Sequence, residues 1–262
     1  MASKLVLVTG ASSGIGAATA KLYGARGAQV LLLARNEQRL DEVAAAIKRE
    51  GGAASAYTVD LADANAIAET SARIKRERGT PDILINNAGA GRWLPLLETS
   101  AEEALAMIEV PYLAAFNLTR AFLPEMIARG SGAIACITSP ASYVVWPNAA
   151  AYTAARHAML GFTESLRADL RRTGIDVTLV VLGEVETPYW QHNPGSRQHT
   201  PKSNPILAPV LTPEQAAQAI VQGVERRQRR VFKPAILRAL IVLNALAPGL
   251  VARQLRRAVQ KP

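Results

Sequence analysis

The chain holds one cysteine, Cys136, in 262 residues. A single thiol excludes an internal disulfide framework and a multi-cysteine metal site, and it fits a reducing compartment. No spacing of His, Asp, Glu and Cys resembles a ligand set, so no metal is expected. No run of about 20 uninterrupted apolar residues occurs, which argues against an ordinary spanning helix. The longest candidate, 235–252, is broken by Arg238, Asn244 and Pro248-Gly249. The first apolar run stops at Gly10, too early for the core of a secretory signal, so a cytoplasmic location is expected. Aromatic residues make up only 5% of the chain, so their placement carries weight. There is no internal repeat and no low-complexity tract.

Acidic residues are missing from one end. The last is Glu225, whereas Arg226, Arg227, Arg229, Arg230, Lys233, Arg238, Arg253, Arg256, Arg257 and Lys261 follow it. The whole chain carries 30 Lys+Arg against 21 Asp+Glu, a formal +9. Without those ten cations the count is 20 against 21, a body at −1. The basicity therefore belongs to a tail. That tail contains Phe232 as its sole aromatic and no nucleic-acid motif, so no nucleic-acid partner is expected. At 49% apolar and 19% charged residues, the chain has ample material for a core and does not read as disordered.

What is present is an alternation of short β-rich apolar runs with longer helical patterns. Strands are predicted over 4–9, 29–33, 55–59, 83–86, 133–138 and 176–182. Helical spacing covers 14–26, 37–50, 63–78, 99–129 and 150–173. Continuous apolar strands separated by helices imply an α/β fold with a doubly wound parallel β-sheet covered on both faces. Residues 187–211 break the rhythm with five prolines and read as a substrate lid or binding loop. The expected division is a sheet domain over 1–230 and a basic, apolar helical C-terminal extension over 231–262.

The first strand runs directly into Gly10, Ala11, Ser12, Ser13, Gly14, Ile15 and Gly16, which open a helix. Glycines there allow a tight turn and close approach of backbone to a pyrophosphate, which the helix N-terminus attracts. The second strand ends in Leu33-Ala34-Arg35-Asn36, where an NAD site usually offers a carboxylate for the ribose diol. A planar guanidinium suits a 2′-phosphate instead, so Arg35 favours NADP(H) over NAD(H).

The chain resembles the short-chain dehydrogenase/reductase family, of single-domain Rossmann type. The matching residues are Thr9 to Gly16, then Asp60-Leu61 after strand three and Asn86-Asn87-Ala88-Gly89 after strand four. Ser139 follows strand five, Tyr152 lies thirteen residues later, and Gly183, Val185 and Thr187 follow strand six. The resemblance implies that Asp60 bonds the adenine amino group and that Asn87 and Gly89 border the adenosine ribose. It implies that Thr187 holds the nicotinamide carboxamide and Ser139 bonds the substrate carbonyl. Tyr152 is then the general acid–base.

Two positions depart from the family pattern. Where the family has a lysine, four residues after the tyrosine, this chain has Arg156. Where it has an asparagine in the fourth helix, this chain has Pro111. Arginine keeps a cation near Tyr152 but cannot shed a proton, and proline supplies neither side-chain amide nor N–H. Two readings stand. One is an NADP(H)-dependent oxidoreductase interconverting a carbonyl and an alcohol on a bulky hydrophobic substrate, with Ser139, Tyr152 and Arg156 at its centre. The alternative is a catalytically weakened NADPH-binding protein with a binding or regulatory role.

The loops after strands four, five and six carry Trp93, Tyr143, Trp146, Tyr189 and Trp190, which places them around the expected crevice. His157, His192 and His199 are expected to play surface rather than catalytic roles. Apolar positions on 99–129 and 150–173 exceed one core face, and in this family the equivalent helices often form a dimer or tetramer interface. The segment 226–262 combines arginines with Ile236, Leu237, Leu240, Ile241, Leu243 and Leu246, and suits peripheral contact with an anionic membrane. Its alternative is a helical cover over the pocket or a subunit interface.

Overall fold

The computed structural model describes residues 3–89, 91–200 and 209–259. Seven strands form one parallel sheet: β1 (Leu5–Thr9), β2 (Gln29–Ala34), β3 (Ala53–Thr58), β4 (Ile83–Asn86), β5 (Gly132–Thr138), β6 (Ile175–Leu182) and β7 (Arg230–Lys233). Their order is β3-β2-β1-β4-β5-β6-β7. The direction of winding reverses between β1 and β4, and such a switch point opens a crevice beyond the carboxyl ends of the strands. The crossovers are α1 (Gly14–Ala25), α2 (Glu37–Arg49), α3 (Ala64–Arg78), α4 (Ala101–Ile108), α5 (Ala114–Arg129) and α6 (Ala150–Asp169). Two short turns of helix, α7 (Tyr189–His192) and α8 (Ser196–His199), occupy the proline-rich loop. Then come α9 (Pro213–Glu225), α10 (Ile236–Leu246) and α11 (Pro248–Val259).

Strand alternation sorts the core into two layers. Val6, Val8, Val30 and Leu32 pack under helices with Ala20, Leu40, Ile47, Ile220 and Val221. Leu5, Leu7, Leu31 and Leu33 face the other way, onto Ile67, Ile74, Leu118, Phe122 and Met159. Burial on both faces explains why these strands read as unbroken apolar runs. Cys136 is fully buried within β5, and burial pushes its thiol pKa up.

Local chemistry sets the helix boundaries. The Asn36 side chain accepts from the Arg39 amide at the start of α2, and Asp63 caps α3. Ser100 with Glu103, and Thr212 with Gln215, form reciprocal capping boxes at α4 and α9. The helix expected over 99–129 contains one wide π turn, Glu109–Leu113, between α4 and α5. Pro111 lies buried inside it, and the Ala114 N–H reaches back five residues to the Glu109 carbonyl. A proline removes one rung of the ladder, so the widened turn sits where the N–H is lost.

Two elements differ from the expectation. α9 and β7 were not foreseen, and β7 spans the division expected at 230, so the sheet reaches Lys233. β7 reads poorly because two of its four residues are charged and only Val231 is buried, as at a sheet edge. The proline-rich loop is bracketed by a parallel bridge between Val185 and Leu211. Part of that loop, 201–208, lies outside the described residues.

Candidate active site

The glycine turn joins β1 to α1 at the switch point. A Cβ on Gly16 would lie 2.2 Å from the Gly10 carbonyl oxygen and 2.6 Å from the Asn87 amide nitrogen, so only glycine fits beneath the turn. Asn87 locks the neighbouring strand end: its side-chain N–H donates to the Thr9 carbonyl at 2.9 Å. The amides of Asn87 and Ala88 both donate to Thr9 Oγ1 at 2.9 Å. No side chain caps the first turn of α1 at Ser13, which leaves its amides to an anion rather than to the protein.

A cavity of about 1050 Å³ opens above this turn. That is at the upper end of ligand sites, which run to about 1,000 Å³. Gly10, Ser12, Ser13, Gly14, Ile15, Arg35, Asp60, Leu61, Asn87, Ala88 and Gly89 line one part. Ser139, Tyr152, Arg156, Gly183, Val185 and Thr187 line the next. Of the residues expected to border a nucleotide, Gly16 alone lies behind the wall, where it permits the turn instead of touching the space.

Ser139 closes β5, and its Oγ accepts the Ala141 N–H at 3.2 Å. Its own hydroxyl proton remains available to a carbonyl in the cavity. Tyr152 and Arg156 sit one turn apart on α6, both largely buried. The Arg156 guanidinium lies over the Tyr152 ring, with its carbon 4.6 Å from the centroid. A Cβ on Gly89 would approach Arg156 Nη2 to 3.2 Å, so the glycine makes room for the larger cation. Arg156 Nε is buried without a protein hydrogen-bond partner, an orphaned donor that suits a polar ligand beside it.

Trp93 stacks obliquely on Tyr152 at 5.4 Å and on Trp146 at 5.8 Å between centroids. Trp146, Tyr189 and Trp190 also line the cavity. Tyr143 does not. Its ring packs 6.2 Å from Phe232 of β7, and its carbonyl accepts from Asn244 of α10 at 3.0 Å, which turns it under the C-terminal helices. Tyr189 donates its hydroxyl to the Gly91 carbonyl. Burial, then the neighbouring Tyr152, pushes the Tyr189 pKa well up, so it serves as a fixed donor. The loop is pinned further by Arg92 Nε on the Pro194 carbonyl at 2.8 Å and by the Trp93 amide on Ser196 Oγ at 3.0 Å.

Further residues line the cavity. Arg39 reaches the cavity beside Arg35 and Asn36, and its Nη1 lies 3.3 Å from His192 Nε2 on α7. His192 is therefore exposed and also at the rim. Leu237 and Leu240 of α10, with Leu255 and Ala258 of α11, also line the cavity. The C-terminal extension is thus a wall of the pocket. His157 turns away, its Nδ1 3.0 Å from the Thr153 carbonyl, and His199 pairs with Glu98 at 3.5 Å.

A seven-stranded parallel sheet with a glycine turn at its switch point, and a serine and tyrosine converging beyond it, defines an oxidoreductase of Rossmann type. The chain belongs to the short-chain dehydrogenase/reductase family: the family described as short chain dehydrogenase matches residues 4–197. It is similar to a fatty acyl-CoA reductase of Acinetobacter baylyi, 34% identical over 249 residues, covering 94% of this chain and 81% of that protein. Estradiol 17-beta-dehydrogenase 11 of Mus musculus is 30% identical, covering 95% and 81% respectively. Among solved structures, a short-chain dehydrogenase from Sphingobium yanoikuyae in complex with NADPH superposes with a TM-score of 0.82. Its identity is 28%, and 95% of each chain is covered.

Proposed function

We propose that this protein is an NADP(H)-dependent oxidoreductase that interconverts a carbonyl and an alcohol on a bulky apolar substrate. The observation that carries the reading is the convergence of Ser139, Tyr152 and Arg156 on the cavity that continues from the glycine turn. The cofactor preference rests on Arg35 and Arg39 at the end of β2, and the NADPH complex of the similar dehydrogenase supports it. Two cations at that rim suit a 2′-phosphate.

Carbonyl reduction needs a hydride at carbon, which NADPH supplies when bound, and a proton at oxygen. Tyr152 Oη gives that proton, and Ser139 Oγ donates a hydrogen bond that holds the same oxygen. Arg156 keeps a permanent positive charge against the Tyr152 ring, which favours the phenolate once the proton has left. The apolar substrate class rests on Trp93, Trp146, Trp190, Leu237, Leu240 and Leu255 around the remaining space. Similarity to a fatty acyl-CoA reductase and to an estradiol dehydrogenase supports it. The aromatic group Tyr112, Phe116 and Phe162, with Leu113 and Phe116 exposed, supports a homodimer or homotetramer through α5 and α6.

The test is NADPH consumption followed by absorbance against long-chain aldehydes and bulky ketones. Turnover abolished by Tyr152→Phe, with NADPH binding retained, is the expected result. NADPH binding with no turnover on any of them would give the weakened, regulatory reading, which Arg156 and Pro111 motivate. Failure to bind NADPH would overturn both.

A further inference from the structure

α10 is apolar on two sides. Its inner face sends Leu237 and Leu240 to the cavity. Its outer face leaves Ile236, Val242, Leu243 and Leu246 exposed, the last at 80%. Arg238 is the single charged residue of α10. A helix apolar all round is ordinarily buried, so this outer face calls for an apolar partner. Beyond the corner, Leu250 is 62% exposed at the start of α11. Leu250, Arg253 and Arg257 follow at i, i+3 and i+7, so they share the outer side of α11. Val251 on the opposite side is buried.

We propose that this corner, the outer faces of α10 and α11, seats on an anionic lipid bilayer. Charge selects the partner. Arg238, Arg253, Arg256 and Arg257 flank the apolar residues, and no acidic residue follows Glu225. Cations beside apolar side chains match the headgroup boundary of a membrane that carries negative lipids. A second copy of this chain seated on the same face by two-fold symmetry would offer these arginines no acidic side chain, since none follows Glu225. The contact lies in the plane of the surface. The 11 residues of α10 span about 16 Å, against about 30 Å of hydrocarbon, and no described helix is long and apolar enough to cross a membrane. The bilayer then lies one helix away from the cavity that Leu237 and Leu240 line.

Flotation of the full chain tests this, using phosphatidylcholine vesicles with and without about 30% phosphatidylserine. The chain is expected to float with the anionic vesicles, and less so as salt screens the arginines. Leu243→Ser, Leu246→Ser and Leu250→Ser together are expected to lower partition about tenfold or more while the thermal midpoint holds. Arg253→Gln with Arg257→Gln, which leaves the apolar side chains intact, is expected to abolish the preference for phosphatidylserine. Wild-type protein that stays at the bottom with both vesicle types overturns the proposal, as does equal flotation of wild type and both variants. Loss of self-association in the leucine variant, with no flotation of the wild type, assigns the face to a second copy and likewise overturns it.

Discussion

The guanidinium of Arg156 lies over the ring of Tyr152 on α6, its carbon 4.6 Å from the ring centre. Such a cation above a desolvated ring is worth roughly 2 kcal/mol, or about 30-fold in rate if it is felt mainly in the transition state. Arg156→Ala is therefore expected to lower kcat/KM by about that factor in steady-state assays. Arg156→Lys keeps the charge on a slimmer stem and is expected to recover most of the loss. A lysine variant as slow as the alanine one would assign the effect to the shape of the guanidinium rather than to charge.

Removing the phenolic oxygen alone separates chemistry from binding. Tyr152→Phe retains the ring between Trp93 and Arg156, so the walls of the cavity stay in place. Loss of a positioned general acid lowers kcat by about 10²–10⁴. The NADPH dissociation constant, read by fluorescence, is expected to stay within about twofold, since one weak hydrogen bond at most is removed.

Cofactor choice is expected to rest on the rim of β2. Arg35 and Arg39 both border the cavity, and Arg39 also meets His192 of the proline-rich loop. A charge-assisted hydrogen bond contributes about 1.5–3 kcal/mol, so Arg35→Ala raises the NADPH dissociation constant about 10–100-fold. NADH, which lacks the 2′-phosphate, is expected to bind the variant about as well as the wild type. Equal weakening of both dinucleotides would remove Arg35 from the phosphate site.

Most of this site is readable in the sequence because its residues stand next to the ends of strands. β1, β2 and β4 to β6 are largely buried and announce themselves as apolar runs, and Gly10 to Gly16, Asn87 and Thr187 follow at fixed offsets. What escapes is whatever depends on chain segments meeting across long separations. Arg39 and His192 are 153 positions apart, and only the folded loop brings them together. Leu237 and Leu240 suit a membrane face, a subunit interface or a cover over the pocket in the sequence, and the folded α10 sets them on the cavity wall. Tyr143 fails in the opposite sense: it belongs to the correct loop, but β7 offers it Phe232 as a packing partner. That strand was itself unreadable, being short, charged and at the edge.

The wall built by α10 is expected to select chain length. Leu240 is half-buried and lines the cavity. Removing apolar contact there forfeits about 1–3 kcal/mol for a substrate long enough to reach it. Leu240→Ala is expected to lower kcat/KM roughly tenfold or more for long-chain carbonyl compounds and to leave short ones unchanged. A uniform decrease across chain lengths would show that the variant disturbs the reaction centre instead.

The edge that carries this wall has a pH-dependent tie. Glu164 of α6 accepts from Arg230 of β7 at 2.9 Å and also from Arg167, whose Nη2 donates to the Arg229 carbonyl at 2.7 Å. Partial burial raises the Glu164 pKa, but the hydrogen bonds from Arg230 and Arg167 outweigh it and hold the carboxylate below its ordinary value. A depressed carboxylate stabilises the fold at pH above its unfolded value and loses that contribution as pH falls through its folded value. Arg230 is exposed and Glu164 only partly buried, which limits the pair to about 1 kcal/mol. Glu164→Gln is expected to lower Tm by about 2–4 °C near neutral pH. The two proteins should converge as pH drops below about 4, the ordinary carboxylate range. A gap in Tm that persists unchanged into acid would mean that Glu164 acts through packing and not through its charge.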